Sequence, residues 1–194
     1  MRRLAAVFGV CAALLHLPAL AEAPGDPLSW MARIASAGQR LNYVGTFMYQ
    51  SGTHVETSRI AHRVDGGVEY ERLEALDGSP REVIRRGMEV RCMLPDQKLV
   101  IIDEAASRRA FPARIPASPV GLAESYRIRK GSVVRVAGME AQALIFEPRD
   151  DLRYGHTLWA EVQSGLLLKA RTVDEQGQLV EQFVFSDVRI GGEI

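Results

Sequence analysis

The hydrophobic pattern changes period once along the chain. Leu28, Met31, Ile34, Ala35, Gly38 and Leu41 recur at intervals of three and four residues, which puts them on one face of a helix. Asp26-Pro27 opens that helix. The aspartate can accept from free backbone N–H groups of the first turn, and proline is tolerated at the first helical position. Beyond residue 41 the period drops to two. In "HVETSRIAHRV", Val55, Thr57, Arg59, Ala61 and Arg63 face one way and His54, Glu56, Ser58, Ile60, His62 and Val64 the other. "NYVGTFMY", "VEYERLEAL", "REVIRRG", "EVRCML", "KLVIID", "IRKGSVVRVAG", "MEAQALIFEP", "GHTLWAEV", "LLLKARTVD" and "LVEQFVFSDVRI" complete the strand set. Asp65-Gly66-Gly67, Asp77-Gly78-Ser79-Pro80, Pro95-Asp96, Gly165 and Gly177 mark turns between them.

The sum is one helix and about ten or eleven strands, punctuated every eight to twelve residues or so. That spacing fits an antiparallel sandwich or barrel and excludes alternating βαβ units. Sequential strands make a meander the simplest topology. Residues 76–96, "LDGSPREVIRRGMEVRCMLPD", read as three short strands joined by two turns. "VGLAESY" reads as one or two helical turns. A strongly curved sheet needs filling on its concave side, and two segments are available: the N-terminal helix and the loop around Phe111. That loop, "EAASRRAFPARIPASP", holds three prolines and two basic clusters.

The first residues follow a different logic. Arg2 and Arg3 precede an apolar run over residues 4–17, then Pro18 and small residues at Ala19, Ala21 and Ala23. This is the layout of a cleavable secretory leader over residues 1–23, and the run is too short to span a bilayer. No later stretch is long and apolar enough to cross a membrane. Cleavage after Ala23 leaves 22 basic and 23 acidic residues, which excludes the basic footprint of a nucleic-acid binder. It also removes Cys11, so Cys92 has no disulfide partner and reads as a small buried hydrophobe.

Candidate chemistry is sparse. The chain lacks a G-x-S-x-G elbow, H-E-x-x-H, C-x-x-C and a phosphate-cradling glycine loop, so no cofactor is expected. His54 and His62 lie eight residues apart on one strand, too far to share a metal without a sharp bend. His156 near Asp150-Asp151 reads as part of a polar loop before a strand; the alternative is a carboxylate–histidine pair of a hydrolase. Two features weigh more. "LVII", "ALIF", "LLLK" and "FVF" put apolar side chains on both faces of their strands, which calls for a cover on each face or an apolar hollow. The residues expected to line such a hollow are Phe47, Tyr49, Leu99, Ile101, Leu144, Phe146, Leu158, Leu168, Phe183 and Phe185. The second feature is the basic loop with Arg108, Arg109, Phe111 and Arg114, a candidate contact for an anionic headgroup or an acidic partner segment.

"YERLEALDGSPREVIRRGMEVRCMLPD" and "DLRYGHTLWAEVQSGLLLKARTVDEQGQLVEQFVFSDVRIG" resemble two blocks of the MucB/RseB family, and "LNYVGTFMYQSG" resembles its first strand. The resemblance covers residues 26–194. It implies a LolA/LolB-like domain over residues 24–194: an unclosed, strongly curved antiparallel β-barrel plugged by helix and loop. It also implies a periplasmic, non-enzymatic regulator of the sigma-E type. Such a regulator binds the periplasmic part of a MucA/RseA-type anti-sigma factor and shields it from proteolysis. Acyl chains of lipopolysaccharide or lipoproteins would act as the releasing ligands. The family adds a smaller C-terminal domain after a linker; this chain ends before it, and Gly191-Gly192 would suit the start of a linker. A lipid or lipoprotein carrier of the LolA/LolB type is the competing expectation.

Overall fold

The computed structural model describes residues 25–104, 121–192 and 194. Helix α1 (Pro27–Arg40) starts where the sequence places it: the Asp26 carboxylate accepts from the Ser29 backbone N–H at 2.9 Å, and Pro27 takes the first turn. Its buried stripe is Trp30, Met31, Ile34 and Ala37. This differs from the expected stripe, since Leu28 is exposed and Trp30 is inside. Both choices satisfy the helical period. Burying an indole removes more apolar surface from water than burying a leucine, and that turns the helix.

Eleven strands follow among the described residues: β1 (Tyr43–Ser51), β2 (His54–Asp65), β3 (Val68–Ala75), β4 (Glu82–Arg86), β5 (Glu89–Leu94), β6 (Leu99–Glu104), β7 (Tyr126–Val136), β8 (Met139–Pro148), β9 (Gly155–Glu161), β10 (Leu167–Val173) and β11 (Leu179–Ile190). A one-turn helix, α2 (Leu122–Ser125), precedes β7. Residues 76–96 hold two of these strands, β4 and β5, followed by a 3₁₀ turn at Pro95–Gln97; the third strand expected there ends at Ala75.

All eleven strands form one antiparallel sheet in the order β6-β5-β4-β3-β2-β1-β11-β10-β9-β8-β7. A single meander does not describe it. The chain meanders from β1 out to β6, resumes at the opposite edge with β7, and meanders back until β11 pairs with β1. Local alternation specifies which face a residue takes, but not which distant strand it meets. The sheet is curled and unclosed. β2 and β7 stand six places apart in the strand order, about 29 Å on a flat sheet at about 4.8 Å per strand. Yet α1 touches both, and β11 reaches β7 directly. Among the described residues nothing pairs β6 with β7, which stand at the two edges of the sheet.

The core lies on the concave face under α1. It joins Trp30, Met31 and Ile34 to Tyr43, Phe47, Ile60, Leu144, Phe146, Leu158, Phe183 and Phe185. Phe47, Phe183 and Phe185 pack edge to face, with centroids 5.1–6.0 Å apart. The β9–β10 turn is tied to α1: the Arg33 guanidinium donates to the Gln163 carbonyl, and the Glu161 carboxylate accepts from the backbone N–H groups of Gln163 and Ser164.

Candidate functional site: an apolar cavity with one polar wall

Between α1, α2 and strands β7–β11 lies a cavity of about 360 Å³, within the range of small-molecule sites. Met31 closes it from α1 and Leu122 from α2, while Phe146, Leu158, Leu167 and Ala170 form its apolar wall. The cavity exists because the sheet curls there, and the short α1 covers only part of the hollow.

One side is polar, and strand register builds it. Phe146 on β8 stands opposite His156 on β9, His156 opposite Thr172 on β10, and Thr172 opposite Glu181 on β11. His156 Nδ1 lies 3.1 Å from Thr172 Oγ1, and Thr172 Oγ1 lies 3.4 Å from Glu181 Oε1. The Tyr49 hydroxyl, from β1, donates to Glu181 Oε2 at 2.9 Å. Burial holds the His156 imidazole below its ordinary pKa, against the smaller opposing pull of Glu181. The ring of Tyr126 packs beside both His156 and Phe146, and burial raises its hydroxyl pKa.

Of the ten residues expected in a hollow, Phe146 and Leu158 line the cavity and Tyr49 reaches it through Glu181. Phe47, Leu144, Phe183 and Phe185 are buried in the core beside it. Leu168 is fully buried at the bulge that shifts the β9–β10 register. Leu99 and Ile101 are on β6, at the far edge of the sheet, and are 43% and 38% exposed. Register puts these two on the same face as Leu94 and Cys92, hence on the concave side, but away from α1. Cys92 is half-buried there. Arg108, Arg109, Phe111 and Arg114 lie outside the described residues, as do residues 1–24.

His156 does not pair with Asp150 or Asp151. Asp150 engages Arg153 and the Leu152 backbone N–H, whereas His156 sits on β9 and faces Thr172. A signal for this was present: His156 shares alternation parity with Leu158, already a cavity candidate. Thr172 and Glu181 carried no signal of their own, because their role depends on cross-strand register.

A second polar cluster occupies the same face across the sheet. Tyr43, His62, Glu71 and Arg85 stand in one cross-strand row over β1–β4. The rings of Tyr43 and His62 stack at 5.0 Å, and His62 Nδ1 lies 2.8 Å from the Leu41 carbonyl. Glu71 and Arg85 form a buried ion pair at 3.4 Å. Burial nevertheless raises the Glu71 pKa by more than Arg85 and His62 lower it.

A curled, unclosed antiparallel sheet around an apolar, helix-capped hollow defines the class of this domain. Residues 26–194 match the MucB/RseB N-terminal domain, and the chain belongs to that family. It is 35% identical over 179 residues, 92% of its length, to the sigma factor AlgU regulatory protein MucB of Pseudomonas aeruginosa. It is 28% identical to the sigma-E factor regulatory protein RseB of Haemophilus influenzae over 82% of its length. The solved complex of Pseudomonas aeruginosa MucA and MucB contains a chain with the same fold, at a TM-score of 0.71 and 33% identity; the match covers 88% of this chain and 59% of that one. The chain spans about half the length of the curated relatives it matches, 54% of the Pseudomonas protein and 52% of the Haemophilus protein.

Proposed function

We propose that this chain is the ligand-sensing domain of a periplasmic negative regulator of a sigma-E/AlgU-type stress response. In this reading it holds the periplasmic part of a MucA/RseA-type anti-sigma factor, shields it from proteolysis, and loosens that hold when an acyl chain enters the cavity. Its work is binding, with no chemical step.

The observation that carries the reading is the cavity itself, an apolar hollow of about 360 Å³ in a domain whose solved relative is a complex with MucA. Apolar burial drives acyl entry at about 0.8 kcal/mol per methylene, so a few carbons offset a substantial part of a micromolar partner contact. The coupling is reciprocal: a ligand that prefers the partner-free form weakens the partner by the ratio of its own two affinities. Met31 gives the coupling a route, because it sits at once on α1, in the core and on the cavity wall.

The test is a competition experiment. The mature chain is bound to the immobilised periplasmic segment of its anti-sigma factor, and purified lipopolysaccharide or an acylated lipoprotein peptide is titrated in. Release that saturates with ligand supports the reading, and complete indifference of the complex to both ligands sinks it. Acyl binding with no detectable anti-sigma partner, together with extraction of lipoproteins from inner membranes, would establish the carrier reading instead.

A further inference from the structure

We propose that His156 reads a hydrogen-bond donor on the ligand, so that the cavity selects an acyl chain bearing a hydroxyl over the plain chain of the same length. This rests on the acyl-binding reading of the cavity and adds the chemistry it discriminates.

The polar wall fixes the imidazole's tautomer. Glu181 takes the Tyr49 hydroxyl on one carboxylate oxygen and the Thr172 hydroxyl on the other. A carboxylate is the strongest acceptor within reach of Thr172, so the single hydroxyl hydrogen of Thr172 goes to it. Thr172 Oγ1 can then only accept from His156, and Nδ1 carries the imidazole's hydrogen. A neutral ring protonated at Nδ1 has its lone pair at Nε2. That nitrogen has no hydrogen-bond partner among the described residues, and the buried polar atom left unmatched among them belongs to Arg85, so Nε2 is not sealed within the protein. His156 lines the cavity, so in this proposal its unpartnered nitrogen faces the ligand.

The consequence is asymmetric. A hydrocarbon chain lying over Nε2 strips water from an acceptor and returns nothing, whereas a hydroxyl on the chain replaces that water. The tyrosine hydroxyls on the wall, at Tyr126 and Tyr154, can donate or accept and do not discriminate in this way. Glu181 also lines the cavity, but its two carboxylate oxygens already accept from Tyr49 and Thr172; His156 presents an acceptor with no hydrogen-bond partner among the described residues beside Phe146 and Leu158.

The experiment measures displacement of a fluorescent acyl probe from the mature chain at slightly alkaline pH, where the imidazole is neutral. The competitors are dodecanoic acid and a set of monohydroxydodecanoic acids with the hydroxyl at different carbons. At least one hydroxylated isomer should bind about five- to tenfold more tightly than the plain acid. His156→Phe should erase that preference, read as the ratio of hydroxylated to plain acid affinity within the variant. Thr172→Val, which frees the tautomer with His156 in place, should reduce it. Equal binding of all competitors by the unaltered protein overturns the inference and leaves the acyl reading standing, as does a preference that survives both substitutions. Failure of every competitor to bind removes the acyl reading itself.

Discussion

Gly45 makes room for Phe185. A Cβ on Gly45 would stand 2.8 Å from the Phe185 ring and 2.5 Å from the Asp187 carbonyl oxygen, so no side chain fits there while β1 and β11 keep their register. The ring fills the space above the glycine and packs against Phe47, Tyr43 and Phe183. Gly45→Ala is expected to destabilise the fold by about 1–3 kcal/mol, the usual cost of overpacking. A lower midpoint in urea with an unchanged slope would show it. An unchanged midpoint would mean that β1 and β11 slide past each other freely.

The ion pair of Glu71 and Arg85 is a different kind of constraint. Both side chains are about nine-tenths buried, and Arg85 Nε lacks a hydrogen-bond partner among the described residues. Arg85→Met leaves a buried carboxylate without its countercharge and should cost about 3–5 kcal/mol at neutral pH. Adding Glu71→Leu to that variant should recover most of the loss. The Glu71 pKa is already raised by burial and would rise further without Arg85, so the folded single variant takes up a proton before the unfolded chain does. The penalty should therefore shrink as pH falls through the folded-state pKa. Denaturation series at neutral and mildly acid pH would check both statements.

His156 acts in the opposite sense. Burial lowers its pKa in the folded state, so between the folded and unfolded pKa values the unfolded chain binds the extra proton. Its contribution to stability is complete above the unfolded value near 6.5 and is lost as pH falls through the folded one. His156→Gln should flatten this part of the stability–pH curve. Thermal melts of both proteins between neutral pH and pH about 5 would show converging curves if the assignment holds.

Filling the cavity should separate binding from folding. Ala170 lies on the wall opposite Leu158 on the neighbouring strand. Ala170→Phe projects a ring into the hollow, where about 360 Å³ is available to receive it. The melting temperature should stay within a few degrees of the parent, since the ring gains apolar contacts. Displacement of an acyl probe should fall at least about tenfold, because the ring occupies the space of several methylenes.

Much of this architecture was legible in the residue pattern, and the parts that were not share a cause. Asp26-Pro27 announced the helix, and period-two alternation placed Ser58, Ile60 and His62 on the buried face of β2. Residues 76–96, a stretch of turns and charge, resolved into short paired strands, and Arg85 among its charges points inward to Glu71. What alternation left undetermined was the pairing of strands far apart in sequence. Thr172 and Glu181 look like ordinary polar strand residues until β10 and β11 are laid side by side. Leu99 and Ile101 have the right parity for the hollow, but the strand order carries them to its edge. The family resemblance supplied the curled sheet that local pattern could not, since "sandwich or barrel" is as far as strand spacing goes.

The pairing of β1 with β11 also sets the order in which this domain can assemble. Tyr43 meets Ile190 across 146 residues of intervening chain, whereas every other ladder joins sequence neighbours. Two meanders can each zip up from local hairpins within microseconds to milliseconds, but the seam between them must await a long loop closure. Until that seam closes, the edge-to-face contacts of Phe47 with Phe183 and Phe185 cannot form. A chain threaded across a membrane from its N-terminus would present β1 with its apolar face bare until β11 emerges. Such a chain would depend, during that interval, on whatever shelters unpaired strands.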